Sequence, residues 1–388
     1  MNIQFSLHWM IYFLTNICFL ANSSICLEKS EDINEFHCLD EEPSSIEYCF
    51  SEGKESTDDQ SFFTFDNYNL HENAQDFILE TKEIRIPGYP YAFNPSIAIW
   101  QGKHLLSFRI RDAKTKVINQ IGLIWLDKNL NLASHPYILT LSTISIPTLS
   151  KQQDPRLIVS NDRLYMIYSD ALKGVTIPEV KRMFVTEIHF DGTKFFADQP
   201  EGLFYFENER EQRWEKNWTP FDYQGNLLLI YSLTPHRILR LLGNGKCETY
   251  ASTESFPYWE WGVLRGGTPA LREGNEYLSF FHSSLRISTL HSQGQEMPHY
   301  FMGAYTFSAE PPFAITQISP QPIIGKNFYT SPPYKTWRPL RVVFPGGFIA
   351  NEENIWIVYG KQDFEIWVVK LDKKKLLQSL VPVLPKYE

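Results

Sequence analysis

The chain has 388 residues, 43% hydrophobic and 15% aromatic, and a formal net charge of −9. That is ample apolar material for a large core, and 24 prolines with 20 glycines suit an all-β chain better than a helical one. Fifteen acidic and only two basic side chains fall in residues 27–76. The remainder is close to neutral or slightly basic, which leaves no charged face for nucleic acid or a membrane surface.

Residues 1–26 carry no Lys, Arg, Asp or Glu and include an apolar stretch at 9–21. The stretch is too short and too interrupted for a comfortable transmembrane helix and reads as a secretory signal peptide ending near 23–26. Its basic leading region is missing, so an uncleaved anchor stays open. The expected location is the secretory pathway, secreted or periplasmic, with no stable membrane span after cleavage. The acidic segment 27–76 has little periodicity and is expected to be solvated and disordered. Of the cysteines, Cys18 would leave with the signal; Cys26, Cys38, Cys49 and Cys247 remain, with no CxxC pair, so no zinc site is expected. After export, Cys38 and Cys49 are one possible staple, though pairing is not legible in the sequence.

From residue 77 onward one pattern recurs. A polar or small residue precedes a proline, a short apolar run follows, then a polar turn and a second apolar run. The copies are NPSIAIWQGKHLLSFRIRD from Asn94, DPRLIVSNDRLYMIYSDA from Asp154 and TPFDYQGNLLLIYSLTPH from Thr219. TPALREGNEYLSFFHSS from Thr268 and FPGGFIANEENIWIVYGKQD from Phe344 complete the set. Each reads as a β-hairpin around a Gly, Asn or Asp turn. Their prolines stand at 95, 155, 220, 269 and 345, room for four strands per repeat. This predicts an all-β, five-bladed β-propeller over residues 77–388. Residues 77–86 are expected to complete the last blade, and 373–380 a short helix.

Blades radiate from one axis, so the polar residues bracketing the hairpins are the candidates for chemistry. They are Asn94, Arg109, Asp112, Asp154, Arg156, Lys216, Asn217, His236, Arg265, His282 and Asp363, with Trp100, Trp218, Trp261 and Tyr359 close by in sequence. Aromatic faces beside carboxylates and amides suit a sugar, and the cations suit a phosphate or other anion. Plainer roles stand beside these. Asp-Pro-Arg shapes turns, histidines at strand ends bond locally, tryptophans fill cores, and Gly266-Gly267 and Gly346-Gly347 let backbones crowd the axis. Asn217-Trp218-Thr219 also matches a glycosylation sequon.

The motifs Gln-Asp-Pro-Arg at 153–156, Glu-Lys-Asn-Trp at 215–218, Thr-Pro-His at 234–236 and Arg-Gly-Gly-Thr-Pro at 265–269 stand in this order. Phe-Phe-His at 280–282, Phe-Pro-Gly-Gly at 344–347 and Tyr-Gly-Lys-Gln-Asp at 359–363 follow. Over roughly residues 80–388 this ordered set resembles glycoside hydrolase family 130, the β-mannoside phosphorylases and mannosidases, and the β-mannosyltransferases that share their propeller. The resemblance implies an inverting reaction at a β-linked mannose with Asp154 as the general acid, its proton passing through the sugar's 3-hydroxyl. Phosphate would attack from the opposite face, in place of the water and base carboxylate of an inverting hydrolase. It further implies that Lys216, Asn217 and His282 hold phosphate, with Arg265 beside them. Asn94, Arg109 and Asp363 would contact the mannosyl unit; Asp112, Arg156 and His236 are counted with that substrate-binding group.

Two departures stand out. Gln153 replaces the usual Glu, and Thr234 stands before Pro235 where the phosphorylases place an arginine, leaving Arg237 or Arg265 to substitute. A hydrolase would need a base, for which Glu215 and Glu260 are the available carboxylates. The expected function is an inverting β-mannoside phosphorylase acting on an oligosaccharide or sugar phosphate. No cofactor or metal is expected, and inorganic phosphate is the co-substrate. A β-mannosyltransferase or β-mannosidase on the same fold is the alternative, and a non-catalytic glycan-binding propeller the alternative from another class.

Overall fold

The computed structural model describes residues 69–111, 119–141, 151–172, 180–207, 210–211, 214–254, 257, 259–330 and 340–383. The signal-like stretch with Cys26, most of the acidic segment with Cys38 and Cys49, and Asp112 lie outside them. Among the described residues no helix is long and apolar enough to cross a membrane.

Five antiparallel sheets form the blades. In blade 1, Ala92–Trp100, Lys103–Arg111, Asn119–Leu126 and Tyr137–Ile138 are hydrogen-bonded in that order. Blade 2 runs Gln153–Ser160, Arg163–Leu172 and Val180–Phe190, with two short outer strands on the last. Blade 3 is Thr219–Tyr223, Asn226–Leu233, His236–Gly243 and Lys246–Thr253. In blade 4 the inner strand is broken into Arg265–Gly266 and Leu271–Glu273, both paired with Glu276–Ile287; Met297–Ser308 and Ile315–Ile318 follow outward. The break falls at Thr268-Pro269, where proline has no N–H to give to the ladder.

Blade 5 closes the ring. Val343–Ala350, Asn354–Lys361 and Glu365–Asp372 come from the C-terminal part, and the outermost strand, Ile78–Ile84, comes from the other end of the described chain. This meets the expectation for 77–86 and gives the last blade a strand that would otherwise be missing from its edge. A helix at Lys373–Ser379 follows, capped by the Asp372 side chain, which accepts from the Lys375 N–H. The described residues begin inside the acidic segment. Leu70, on a short 3₁₀ turn Leu70–Asn73, is fully buried, and the Gln75 side chain bonds Pro322 and Ile324 backbone. Residues 69–76 therefore depart from the expected disorder, because one apolar and one amide side chain find partners on blade 4.

The turns bear out the punctuation. Gln101-Gly102, Asn161-Asp162 and Gln224-Gly225 each separate two paired strand residues, and all six have positive φ. Such two-residue turns twist in the same sense as the strands they join.

The core lies between blades rather than in one central mass. One cluster joins Trp100 and Trp125 of blade 1 to Leu157 and Tyr168 of blade 2. Another joins Ile158 and Met183 of blade 2 to Trp218 and Leu229 of blade 3. A third links blades 3, 4 and 5 through Phe221, Tyr277 and Ile357, and a fourth links blades 5 and 1 through Val358 and Leu106. Trp100, Trp218, Trp261 and Tyr359 are all buried in these clusters. They are core, not sugar platforms, because the outer faces of neighbouring sheets must be filled by large side chains.

Candidate active site

The register of the strands defines one mouth. The beginning of each inner strand and the end of the second strand lie there; for instance Gln153 pairs with Ser169, and Ser169 with Met183. In blades 1, 2 and 5 the inner strand carries a bulge at its proline, between Phe93 and Ser96, Gln153 and Arg156, and Pro345 and Gly347. A bulge re-aims the side chain beside it. In blades 1 and 2 the pre-proline residues, Asn94 and Asp154, are left-handed with φ of 45° and 54°. A residue before proline is disfavoured in the ordinary helical region, and Asn and Asp are the side chains that tolerate the left-handed one best.

The consequence is a pair. Asn94 Nδ2 donates to Asp154 Oδ1 at 2.8 Å, and Arg109 Nη1 lies 3.3 Å from the same oxygen. Oδ1 is thus engaged twice. Burial by itself would raise the Asp154 pKa, but the Arg109 and Arg156 guanidiniums, the Asn94 bond and the Lys216 ammonium together outweigh it. The net shift is downward, so the carboxyl is ionised at neutral pH. The Arg109 guanidinium also lies 4.7 Å from the Phe93 ring centroid, and that of Arg111 lies 5.1 Å from it. Arg111 was not among the expected residues; its spacing of two from Arg109 on one strand was the available signal.

Arg156 is fully buried and ties three blades together. Its Nε donates to the Gly267 carbonyl at 2.7 Å, Nη2 to Gly266 O at 3.3 Å and to Asn217 Oδ1 at 3.4 Å, and Nη1 to Asp154 O at 3.1 Å. Burial lowers its pKa to about 10, which leaves it a cation. The glycine pair lets neighbouring backbones crowd together here, since a Cβ on Gly266 would collide with Asn217 O and one on Gly267 with Phe280 O. Asn217 is itself left-handed, at φ 62°, and its amide oxygen accepts from Arg156, so the sequon is read here as part of the mouth.

His282 pairs in register with Arg265. Its ring stacks on Tyr300 at 6.0 Å between centroids and tilts against Phe344 at 4.7 Å. Burial, then the charges of Arg265 and Arg156, push its pKa well below the usual value, so the ring is neutral. Its Nδ1 is buried without a hydrogen-bond partner among the described residues. Arg265 Nη1 donates to Ser284 Oγ at 3.1 Å.

Not every expected residue is brought to this group. His236 is fully buried; its Nδ1 meets the Phe313 carbonyl at 2.7 Å and its ring packs on Phe307 at 5.0 Å. Burial lowers its pKa to about 4, against the opposing effect of the Phe313 bond. Its contacts join blades 3 and 4 through Phe313, Tyr305 and Phe307. Asp363 lies on the mouth side, left-handed in the turn after Asn354–Lys361. Glu215 is buried and accepts from the Trp218 indole N–H at 3.0 Å, and Glu260 is exposed. Cys247, the one described cysteine, is a free thiol pushed by burial to about 12.

No protein-family model matches the sequence, and no curated protein does. Solved structures do share the fold. One comes from work on the GH130 family of mannoside phosphorylases and glycoside hydrolases that target β-1,2 mannosidic linkages in Candida mannan. It has 12% identity over 86% of this chain and 99% of that one, with a TM-score of 0.56. A mannose phosphorylase from Leishmania mexicana, in complex with a phosphate ion, has 12% identity over 82% and 95%, at 0.53. A glycosyl hydrolase from Bacteroides ovatus has 12% identity over 76% and 87%, at 0.55. The chain shares their five-bladed propeller.

Proposed function

We propose that this protein is a β-mannoside-active enzyme that uses inorganic phosphate, an inverting β-mannoside phosphorylase. The observation that carries the reading is a charge imbalance. One carboxylate, Asp154, sits among Arg109, Arg156 and Lys216, with Arg265 beside the neutral His282. Cations in excess around one buried carboxylate favour an anionic ligand, and the low-dielectric surroundings strengthen that preference. The phosphorylase of this fold that holds a phosphate ion, and the mannoside-active relatives, support the same substrate class.

In this reading the mannosyl ring lies against Asn94 and Arg109. A phosphate oxygen held by Lys216, Asn217, Arg265 and His282 forms the new bond to the anomeric carbon, while the bond to the departing sugar oxygen breaks on the opposite face. That oxygen takes up the proton that began on Asp154, directly or through a sugar hydroxyl. Because Oδ1 is occupied by Asn94 and Arg109, Oδ2 is the atom that releases and recovers the proton. The unliganded site holds Asp154 as a carboxylate, the form that accepts a proton in the synthetic direction. A bound phosphate offsets the surrounding cations and favours the protonated form needed for cleavage.

The test is to incubate the full chain with mannose 1-phosphate and a panel of saccharide acceptors and to follow phosphate release, then repeat with Asp154→Asn. Release with the native chain and its loss in the variant is the expected result. Full activity in the variant, or hydrolysis independent of phosphate, would overturn the assignment.

A further inference from the structure

The Asn94 carboxamide is buried and makes a single hydrogen bond. Its Nδ2 donates to Asp154 Oδ1 at 2.8 Å, while its own Oδ1 has no partner among the described residues. A buried amide oxygen without a donor is uncommon, and one bond does not by itself fix the side-chain torsions. The aim of the amide must then come from what it packs against, and that is blade 5. Gly360, at the mouth end of Asn354–Lys361, lies so close that a Cβ there would fall on Asn94 Oδ1. The same Cβ would stand only 3.0 Å from Asn94 N and 3.1 Å from Asn94 Cα.

The contact belongs to a cradle. A Cβ on Gly346 would collide with the Pro95 carbonyl, and one on Gly347 with Ser96 and Ile97 N. Three glycines of blade 5 thus wrap the blade 1 bulge from Asn94 to Ile97, and none of the three has a positive φ. Each is suited to its place by the missing side chain and not by backbone freedom. Gly346 faces backbone, so it serves packing. Gly360 differs, because the atom in the way is the tip of a side chain bonded to Asp154. The other partner of that oxygen is held separately: the Arg109 guanidinium lies 4.7 Å from the ring centroid of Phe93, its partner in register. What Gly360 does to Asp154 therefore passes through Asn94.

We propose that Gly360 is a positioning residue for the Asp154 carboxylate. By giving the place of a side chain to the Asn94 carboxamide, it aims Nδ2 at Oδ1 and leaves Oδ2 for the proton. Its part in turnover rests on the β-mannoside reading above, whereas the aim of Asn94 does not.

The experiment compares the native full chain with Gly360→Ala, Asn94→Ala and the double variant. Asp154 is titrated through its carboxyl carbon resonance, assigned by its loss in Asp154→Asn. Synthesis from mannose 1-phosphate and the affinity for inorganic phosphate are measured beside it. The Asn94 bond is one of the influences that hold the Asp154 pKa below its usual value, so Gly360→Ala should move the titration to higher pH. It should lower kcat/KM about 10²-fold, the cost of misplacing a reacting group by about 1 Å, and keep phosphate affinity within about twofold. Asn94→Ala should do the same, and adding Gly360→Ala to it should cost nothing further, because the carboxamide in the way is gone. An unmoved Asp154 titration in Gly360→Ala overturns the proposal, and so do additive losses in the double variant. If Gly360→Ala does not fold, recovery of folding in the double variant supports the proposal and failure of both overturns it. If the native chain turns over no β-mannoside, a titration shift shared by the two single variants upholds the positioning role while the catalytic reading fails.

Discussion

The two ends of the propeller axis are built by the same inner strands and are chemically opposite. At the mouth, Asn94, Asp154 and Arg156 gather charge and hydrogen bonds. At the other end, a cavity of about 170 Å³ is lined by Ile97, Ile99, Leu157, Ile158, Pro269, Phe348 and Ile349 with a few small neighbours, and no charged residue lines it. Only a few residues along each strand separate the two. The difference lies in the proline bulge, which interrupts the pleat where the mouth begins and lets a left-handed Asn or Asp turn toward the axis. The apolar end places low-polarity side chains beneath the charges, and in such surroundings their interactions are stronger than in water.

Substitutions at the two ends should therefore behave differently. Asp154→Asn keeps the size and the Asn94 contact but removes the proton carrier. It should cost about 10²- to 10⁴-fold in turnover with the melting temperature little changed, as steady-state rates and thermal unfolding would show. Arg156→Met should instead strike stability, because the Gly267, Gly266 and Asp154 carbonyls lose their buried donor. A loss of about 3–5 kcal/mol is expected in denaturant unfolding, and a small loss would mean that the three-blade tie is dispensable.

At the floor, Ile158→Val should cost only about 0.5–1.5 kcal/mol and leave phosphate affinity unchanged; altered affinity would show that the two ends are coupled. A pH profile separates them further. Asp154 is depressed by its cations, so its carboxylate persists as pH falls, and kcat/KM for synthesis should show its acidic limb only below about 3.9, the ordinary aspartate value. A limb near neutrality would place the proton elsewhere. The smallest effect is spectroscopic. Phosphate should shift the imidazole resonances of His282, which faces Arg265, and leave those of His236 unmoved.

The hairpins, their turns and the closing strand were legible because they depend on local rules. Gln101-Gly102 and Asn161-Asp162 satisfy the turn geometry within a few residues, and the apolar runs declare the strands around them. Asn94 and Asp154 were legible as candidates because each stands at the same place in its repeat. The aromatic residues were left between two readings for a physical reason. Trp100, Trp218 and Tyr359 look the same in sequence whether they wall a sugar site or fill the space between sheets, and packing put them between sheets. His236 and His282 stand alike at strand ends, yet one was drawn into a blade interface and the other toward Arg265.

The five-bladed architecture and the identity of the polar break in each repeat were thus already present in the order of residues, since turns, bulges and alternation act over short distances. Which polar ends meet was decided only by closing the ring. Arg156 reaches Gly267, 111 residues away, and Asn94 reaches Asp154 across 60. Partnerships over such separations depend on how blades pack around an axis, and no local pattern encodes them.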